Sequence, residues 1–233
     1  MTLLSATGLT KAYGGVRAVD ALDLSVDAGQ MVAMIGPNGA GKSTCFGLIG
    51  GQIRPDAGRV SLDGIDITAR PSSARARLGL GRTFQVAQVF ASMTAGENLA
   101  VAARGAAVPL LLDRVGLGGA AERPAAALAY GDIKRLELAL ALATGPRLLL
   151  MDEPTAGMAP AERRALMALI AGLARDDGLA VLFTEHDMDV VFSHADRILV
   201  LDRGRLIAAG DPRTIRDDER VRAVYLGHGD GSC

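Results

Sequence analysis

A chain of 233 residues has room for one sizeable core, and its net charge of −1 argues against bulk electrostatic capture of nucleic acid. Nearly half of the residues are hydrophobic (49%), but only 3% are aromatic and none is Trp, so Ala, Leu, Val and Ile must build that core. The longest unbroken apolar run, Ala165 to Ala171, falls well short of the about 20 residues a membrane-spanning helix needs.

From the N-terminus, the chain lacks the charged and apolar regions of a secretory signal. Cys45 and Cys233 give no disulfide framework and fit a reducing compartment. Leu22, Leu24 and Val26 alternate with polar residues, as in a half-buried strand, whereas Met31 to Ile35 is continuously apolar, as in a strand buried on both faces. A glycine-rich loop follows, and then a helix predicted over Lys42 to Ile49. Asp63-Gly64, inside Arg59 to Ile67, predicts a tight hairpin and with it a small antiparallel sheet. Half of residues 100 to 129 are Ala or Gly, punctuated by Pro109 and Pro124, which predicts closely packed short helices. Beyond them lie a helix with Leu136, Ala139, Leu140 and Ala143 on one face and a strand over Arg147 to Met151. A second helix after Pro160 presents Leu166, Leu169, Ile170 and Leu173. Leu179 to Thr184 reads as a strand, and Ile198 to Leu201 and Leu206 to Ala209 as a further hairpin.

The run Gly36-Pro37-Asn38-Gly39-Ala40-Gly41-Lys42-Ser43-Thr44 contains the G-x-x-x-x-G-K-[ST] phosphate loop, with a buried strand before it and a helix after. Glycines let main-chain N–H groups turn onto phosphate oxygens, and the helix N-terminus adds partial positive charge. Lys42 is expected to contact the β- and γ-phosphates and Ser43 to give its hydroxyl oxygen to Mg²⁺. Leu148-Leu149-Leu150-Met151-Asp152-Glu153 delivers two carboxylates at the C-terminal end of a buried strand, where parallel sheets bind ligands. On that sheet Asp152 would hold Mg²⁺, and Glu153 would polarise the water that attacks the γ-phosphate of ATP.

With Tyr13, Gln85, Leu128-Ala129-Tyr130-Gly131-Asp132 and His186 in the same order along the chain, the set resembles the ATP-binding subunit of an ABC transporter over essentially its whole length. Singly, Tyr13, Gln85 and His186 each have a plain packing or surface explanation; their order carries the likeness. The resemblance implies an α/β P-loop NTPase core with an N-terminal antiparallel β subdomain and an inserted α-helical subdomain. The expected divisions are residues 1–85 for the β subdomain and the first part of the core, 86–145 for the helical subdomain, and 146–233 for the rest. It also implies that Tyr13 stacks on adenine, Gln85 reaches Mg²⁺ and the attacking water, and His186 contacts the γ-phosphate. Leu128 to Asp132 would address the nucleotide of a second cassette, in a homodimer or a paralogous heterodimer. The implied partners are membrane permease subunits and, indirectly, a solute-binding protein, at the cytoplasmic face of the inner membrane.

Two segments depart from the common pattern. Where Leu-Ser-Gly-Gly-Gln is usual, this chain has Ala129 for Ser and Asp132 for Gln, and the D-loop Ala156-Gly157-Met158 has Ala in place of its Asp. The tyrosine-containing signature followed by Lys134-Arg135-Leu136-Glu137-Leu138, together with Gly79 to Gln85, Pro154 to Met158, Glu185-His186-Asp187-Met188 and Val221 to Gly227, is similar to branched-chain amino acid importers. Urea and amide importers and the lipopolysaccharide-export ATPase share much of this pattern. A non-transport ABC ATPase would carry long coiled-coil insertions or a second cassette.

Overall fold

A computed structural model of the chain describes residues 1–83, 89–103 and 108–226. Two long strands, β1 (Thr2–Tyr13) and β2 (Val16–Asp27), form a hairpin. Leu22, Leu24 and Val26 turn inward from β2, as their alternation predicts. β3 (Met31–Ile35) is buried along its whole length, and α1 (Lys42–Gly50) follows the glycine-rich loop. β4 (Ala57–Leu62) turns through Asp63-Gly64 into β5 (Ile65–Asp66), and α2 (Ser72–Arg77) leads to the short β6 (Leu80–Arg82).

The Ala- and Gly-rich middle then forms α3 (Ala95–Ala102), α4 (Val108–Arg114), two single turns of 3₁₀-helix at Gly118–Ala120 and Ala125–Ala127, and α5 (Tyr130–Leu142). α3 begins with a reciprocal cap. The Thr94 hydroxyl accepts the Glu97 N–H, and Glu97 accepts the Thr94 N–H. Strand–helix alternation resumes with β7 (Leu148–Asp152), α6 (Pro160–Asp177), β8 (Ala180–Thr184) and α7 (Met188–His194). The hairpin β9 (Arg197–Asp202) and β10 (Arg205–Gly210) precedes α8 (Pro212–Asp217) and α9 (Glu219–Leu226).

The strands make two sheets. One is antiparallel, in the order β2-β1-β4-β5; the other runs β10-β9-β3-β8-β7-β6, parallel except for β10 at its edge. Val32, Met34, Leu148, Leu150, Ala180 and Leu182 face the antiparallel sheet with α1 between, in a core that holds Phe46 and Ile49. Alternate residues of the same strands, among them Ala33, Leu149, Val181 and Phe183, face the helices α3 to α7. Each side chain on these strands therefore packs against protein whichever way it points, which is why they read as continuous apolar runs.

Arg75 of α2 is 1% exposed, and its guanidinium donates to the carbonyls of Leu48 (2.7 Å), Ile49 (2.5 Å), Arg70 (2.9 Å) and Thr68 (3.0 Å). Two of those carbonyls belong to the last turn of α1, where no later residue in the helix can satisfy them. Among the described residues no helix is long and apolar enough to cross a membrane.

Candidate functional site

Three strand ends of the parallel sheet converge on one cavity of about 220 Å³, lined by Ala18, the loop and first helical turn from Asn38 to Thr44, Asp152, Glu153 and His186. The loop leaves β3, the two carboxylates leave β7, and His186 leaves β8. A larger groove of about 430 Å³ lies away from this chemistry, between α2, β6 and α5.

Gly41 caps α1 at φ 103°, and a Cβ placed there would sit 2.2 Å from the carbonyl oxygen of Ala18. Only glycine fits such a position, where the backbone is left-handed and another segment approaches closely. The helical ladder starts when Cys45 donates to Gly41 O at 2.9 Å, so the N–H groups of Lys42, Ser43 and Thr44 precede it at the cavity wall. Lys42 is 9% exposed and donates to the carbonyls of Gly36 (2.7 Å) and Pro37 (3.1 Å). Burial lowers its pKa, against the opposing charges of Glu153 and Asp152. The next residue but two, Cys45, is wholly buried, and burial pushes its thiol up to about 12.

Across the cavity, Asp152 Oδ1 accepts the Thr184 hydroxyl at 2.7 Å, and Arg82 Nη2 stands 4.0 Å from Asp152 Oδ2. Glu153 has φ 50°, left-handed for a residue with a side chain, a conformation that costs of order 1–3 kcal/mol and persists only where the surroundings impose it. They do so here. The Glu153 N–H is shared between Thr184 O (3.2 Å) and Thr184 Oγ1 (3.0 Å), and its carbonyl accepts from Ala156 N–H at 3.1 Å. Glu153 Oε1 lies 2.8 Å from His186 Nε2. With Glu153 ionised, the imidazole carries its proton on Nε2.

The signature residues stand at the start of α5. Ala129 occupies its N-cap without a side-chain hydrogen bond, Leu128 and Gly131 are buried, and Asp132 lies in the first turn. Tyr130 links this segment to the D-loop: its hydroxyl donates to Ala156 O at 3.1 Å, and its ring is 3.4 Å from where a Cβ on Gly157 would lie. Tyr13 ends β1 half-exposed, with Lys11 Nζ 5.6 Å from its ring centroid, on the hairpin whose second strand brings Ala18 to the cavity. Gln85 lies outside the described residues.

This arrangement fits a polyphosphate with a divalent cation. It combines main-chain donors and an ammonium on one side with a hydroxyl, Ser43, and a carboxylate, Asp152, in the same cavity. The sequence profile of the ABC transporter family matches residues 19–156, from within β2 to the first residue of the D-loop. The chain belongs to the ABC transporter family. A second profile, the branched-chain amino acid ATP-binding cassette transporter, matches residues 205–231. The cassette is 41% identical to the high-affinity branched-chain amino acid transport ATP-binding protein BraF of Pseudomonas aeruginosa, covering 97% of this chain and 98% of that one. It is 38% identical to the corresponding protein LivG of Escherichia coli K12, with the same coverage. Its fold superimposes on the crystal structure of the ADP conformation of MJ1267, an ATP-binding cassette of an ABC transporter. That match has a TM-score of 0.89 and 30% identity, covering 97% of this chain and 99% of the other. The cassette is thus a nucleotide-binding ATPase subunit with an α/β P-loop NTPase fold.

Sequence reasoning gave no role to Thr184 or Glu185, although both touch the turn that carries Glu153. The available signal was position: polar residues closing an otherwise apolar buried strand, at the sheet edge where ligands bind.

Proposed function

We propose that this cassette powers an importer for branched-chain amino acids or a similar small polar solute, working as a dimer docked on membrane permease subunits at the cytoplasmic face of the inner membrane. The observation that carries hydrolysis is Glu153, paired with His186, facing the phosphate loop across a single cavity. The match of residues 205–231 and the names of the relatives support the solute class.

In this reading Lys42 exchanges the carbonyls of Gly36 and Pro37 for phosphate oxygens, while the N–H groups of the loop surround the β-phosphate. Ser43 and Asp152, with Gln85, would hold Mg²⁺, which when bound neutralises charge on the β- and γ-oxygens. Glu153 orients the attacking water and takes its proton; His186 holds the Glu153 carboxylate and reaches the γ-phosphate. Tyr13 stacks on adenine. Residues Leu128 to Asp132 of each cassette face the nucleotide of the other, so ATP favours the closed dimer. Moving such an equilibrium from 1:99 to 99:1 needs about 5.5 kcal/mol of preference, for which phosphates against interface N–H groups are the source. Ala129 and Ala156 withhold two polar groups from that interface, which favours pairing with a related cassette that supplies them.

The test is reconstitution of the cassette with the permease subunits that co-purify with it, followed by ATP turnover and uptake of labelled leucine. Stimulated turnover with uptake that is lost in Lys42→Ala supports the reading. Leucine uptake that is indifferent to Lys42→Ala refutes the solute assignment, and a stable, fully active homodimer refutes the mixed pairing.

A further inference from the structure

Glu185 is a buried carboxylate, 5% exposed, that the reaction as described does not use. Burying such a group is costly unless hydrogen bonds compensate. Its Oε1 accepts the Thr155 N–H at 2.8 Å, reaching from the end of β8 to the turn that follows β7. Burial pushes its carboxyl above the usual range, the charge of Glu153 adds to the rise, and donors from Thr155 and the main chain of His186 pull it back.

Three consecutive residues of one strand end hold successive points of one turn. Thr184 takes the Glu153 N–H, Glu185 takes the Thr155 N–H, and His186 takes the Glu153 carboxylate. The turn is closed by Ala156 N–H on Glu153 O, at 3.1 Å, and carries the left-handed φ of 50° at Glu153. Strained backbone of this kind persists only where its neighbours over-determine it. Without the bond to Thr155, the far side of the turn would lose its anchor to the sheet.

We propose that Glu185 is a positioning residue for Glu153: by gripping the Thr155 amide it fixes the turn that aims the Glu153 carboxylate at the phosphate cavity. This rests on the reading of Glu153 as the group that activates water. A glutamine would keep the shape but lose the charge and place an NH₂ donor on a carboxyl that only accepts. Hydrolysis should suffer more than binding, because a displacement of about 1 Å in a reacting group can cost about 100-fold in rate.

The experiment compares the full-length cassette with Glu185→Gln, Glu153→Gln and the double variant, by single-turnover hydrolysis of labelled Mg-ATP and by calorimetric ATP titration. Glu185→Gln is expected to lower the rate constant by about 10- to 100-fold with nearly native ATP affinity, a loss confined to the chemical step. The double variant should be no slower than Glu153→Gln, because the two residues act through one group. A Glu185→Gln rate within about twofold of native overturns the proposal, as does a double variant slowed by the product of the two effects. If Glu185→Gln fails to bind ATP at all, Glu185→Asp keeps the charge but withdraws the carboxylate by one methylene. The same rate-specific loss in Glu185→Asp supports the proposal, and native turnover overturns it. Native turnover in Glu153→Gln would instead remove the reading of Glu153, an outcome distinct from failure of the Glu185 proposal alone.

Discussion

His186 Nε2 lies 2.8 Å from Glu153 Oε1, joining the end of β8 to the end of β7 at the cavity that the phosphate loop lines. In the proposed mechanism the pair supplies the general base and its orienting partner. Glu153→Gln is expected to bind ATP with near-native affinity and to hydrolyse it slower by about 100-fold or more, accumulating the closed dimer. His186→Ala should lower turnover in the same direction, while Glu153 stays in place on its main-chain bonds. Single-turnover assays with gel filtration in Mg-ATP check both, and normal turnover in either variant contradicts its role.

Lys42 spends its ammonium on two carbonyls of its own loop. Lys42→Ala removes a charge-assisted donor worth about 1.5–3 kcal/mol, so nucleotide affinity should fall by about 10- to 100-fold. Calorimetric titration reads this directly; unchanged affinity would take Lys42 out of the site.

Thr184 is 1% exposed, and its hydroxyl serves both Asp152 and Glu153. Thr184→Val conserves shape but leaves those partners short of a bond, with an expected loss of about 1–3 kcal/mol in unfolding free energy. Turnover should drop with it. Denaturant unfolding together with ATPase rates tests the pair of effects, and a variant as stable and as active as native would contradict the arrangement.

Asp218 precedes α9 and accepts the Arg220 N–H (2.8 Å) and the Arg220 guanidinium (2.7 Å). The Arg220 side chain, with further help from main-chain donors, lowers its carboxyl to about 2. A depressed acid stabilises the fold above its unfolded pKa of about 3.9 and loses that contribution as pH falls through the folded value. The melting temperature of Asp218→Asn should therefore lie below native near neutrality, and the gap should close as pH falls from about 4 to about 2. A gap that persists to the acid end would contradict this.

The parts of the fold most legible in the sequence are those where one physical cause dominates. β3, β7 and β8 are buried on both faces, and their apolar runs locate them to within a residue. The Asp63-Gly64 turn needs positive φ at both residues, and it has 52° and 75°. β6 escaped notice because Leu80-Gly81-Arg82 is three residues long and carries no period; its place is set by pairing with β7 at the sheet edge. Within the site, the phosphate loop and both carboxylates are local motifs, readable without the fold, and they line one cavity. The clamp from Thr184 and Glu185 is not legible, because it depends on β8 lying beside β7, with Asp152 opposite Thr184. The link from Tyr130 to Ala156 likewise joins two departures from the family pattern that are separated by a helix and a strand.

The guanidinium of Arg75 gives α1 a fixed cation at its tail, while the head of the same helix is built to receive an anion. A nine-residue helix is thus polarised from both ends, each charge opposing the nearer pole of its macrodipole. Because α2 follows β5 of the antiparallel sheet, this cation ties the last turn of α1 to the segment that leaves that sheet. A lysine at this position, with three donors for four carbonyls, would slacken that tether.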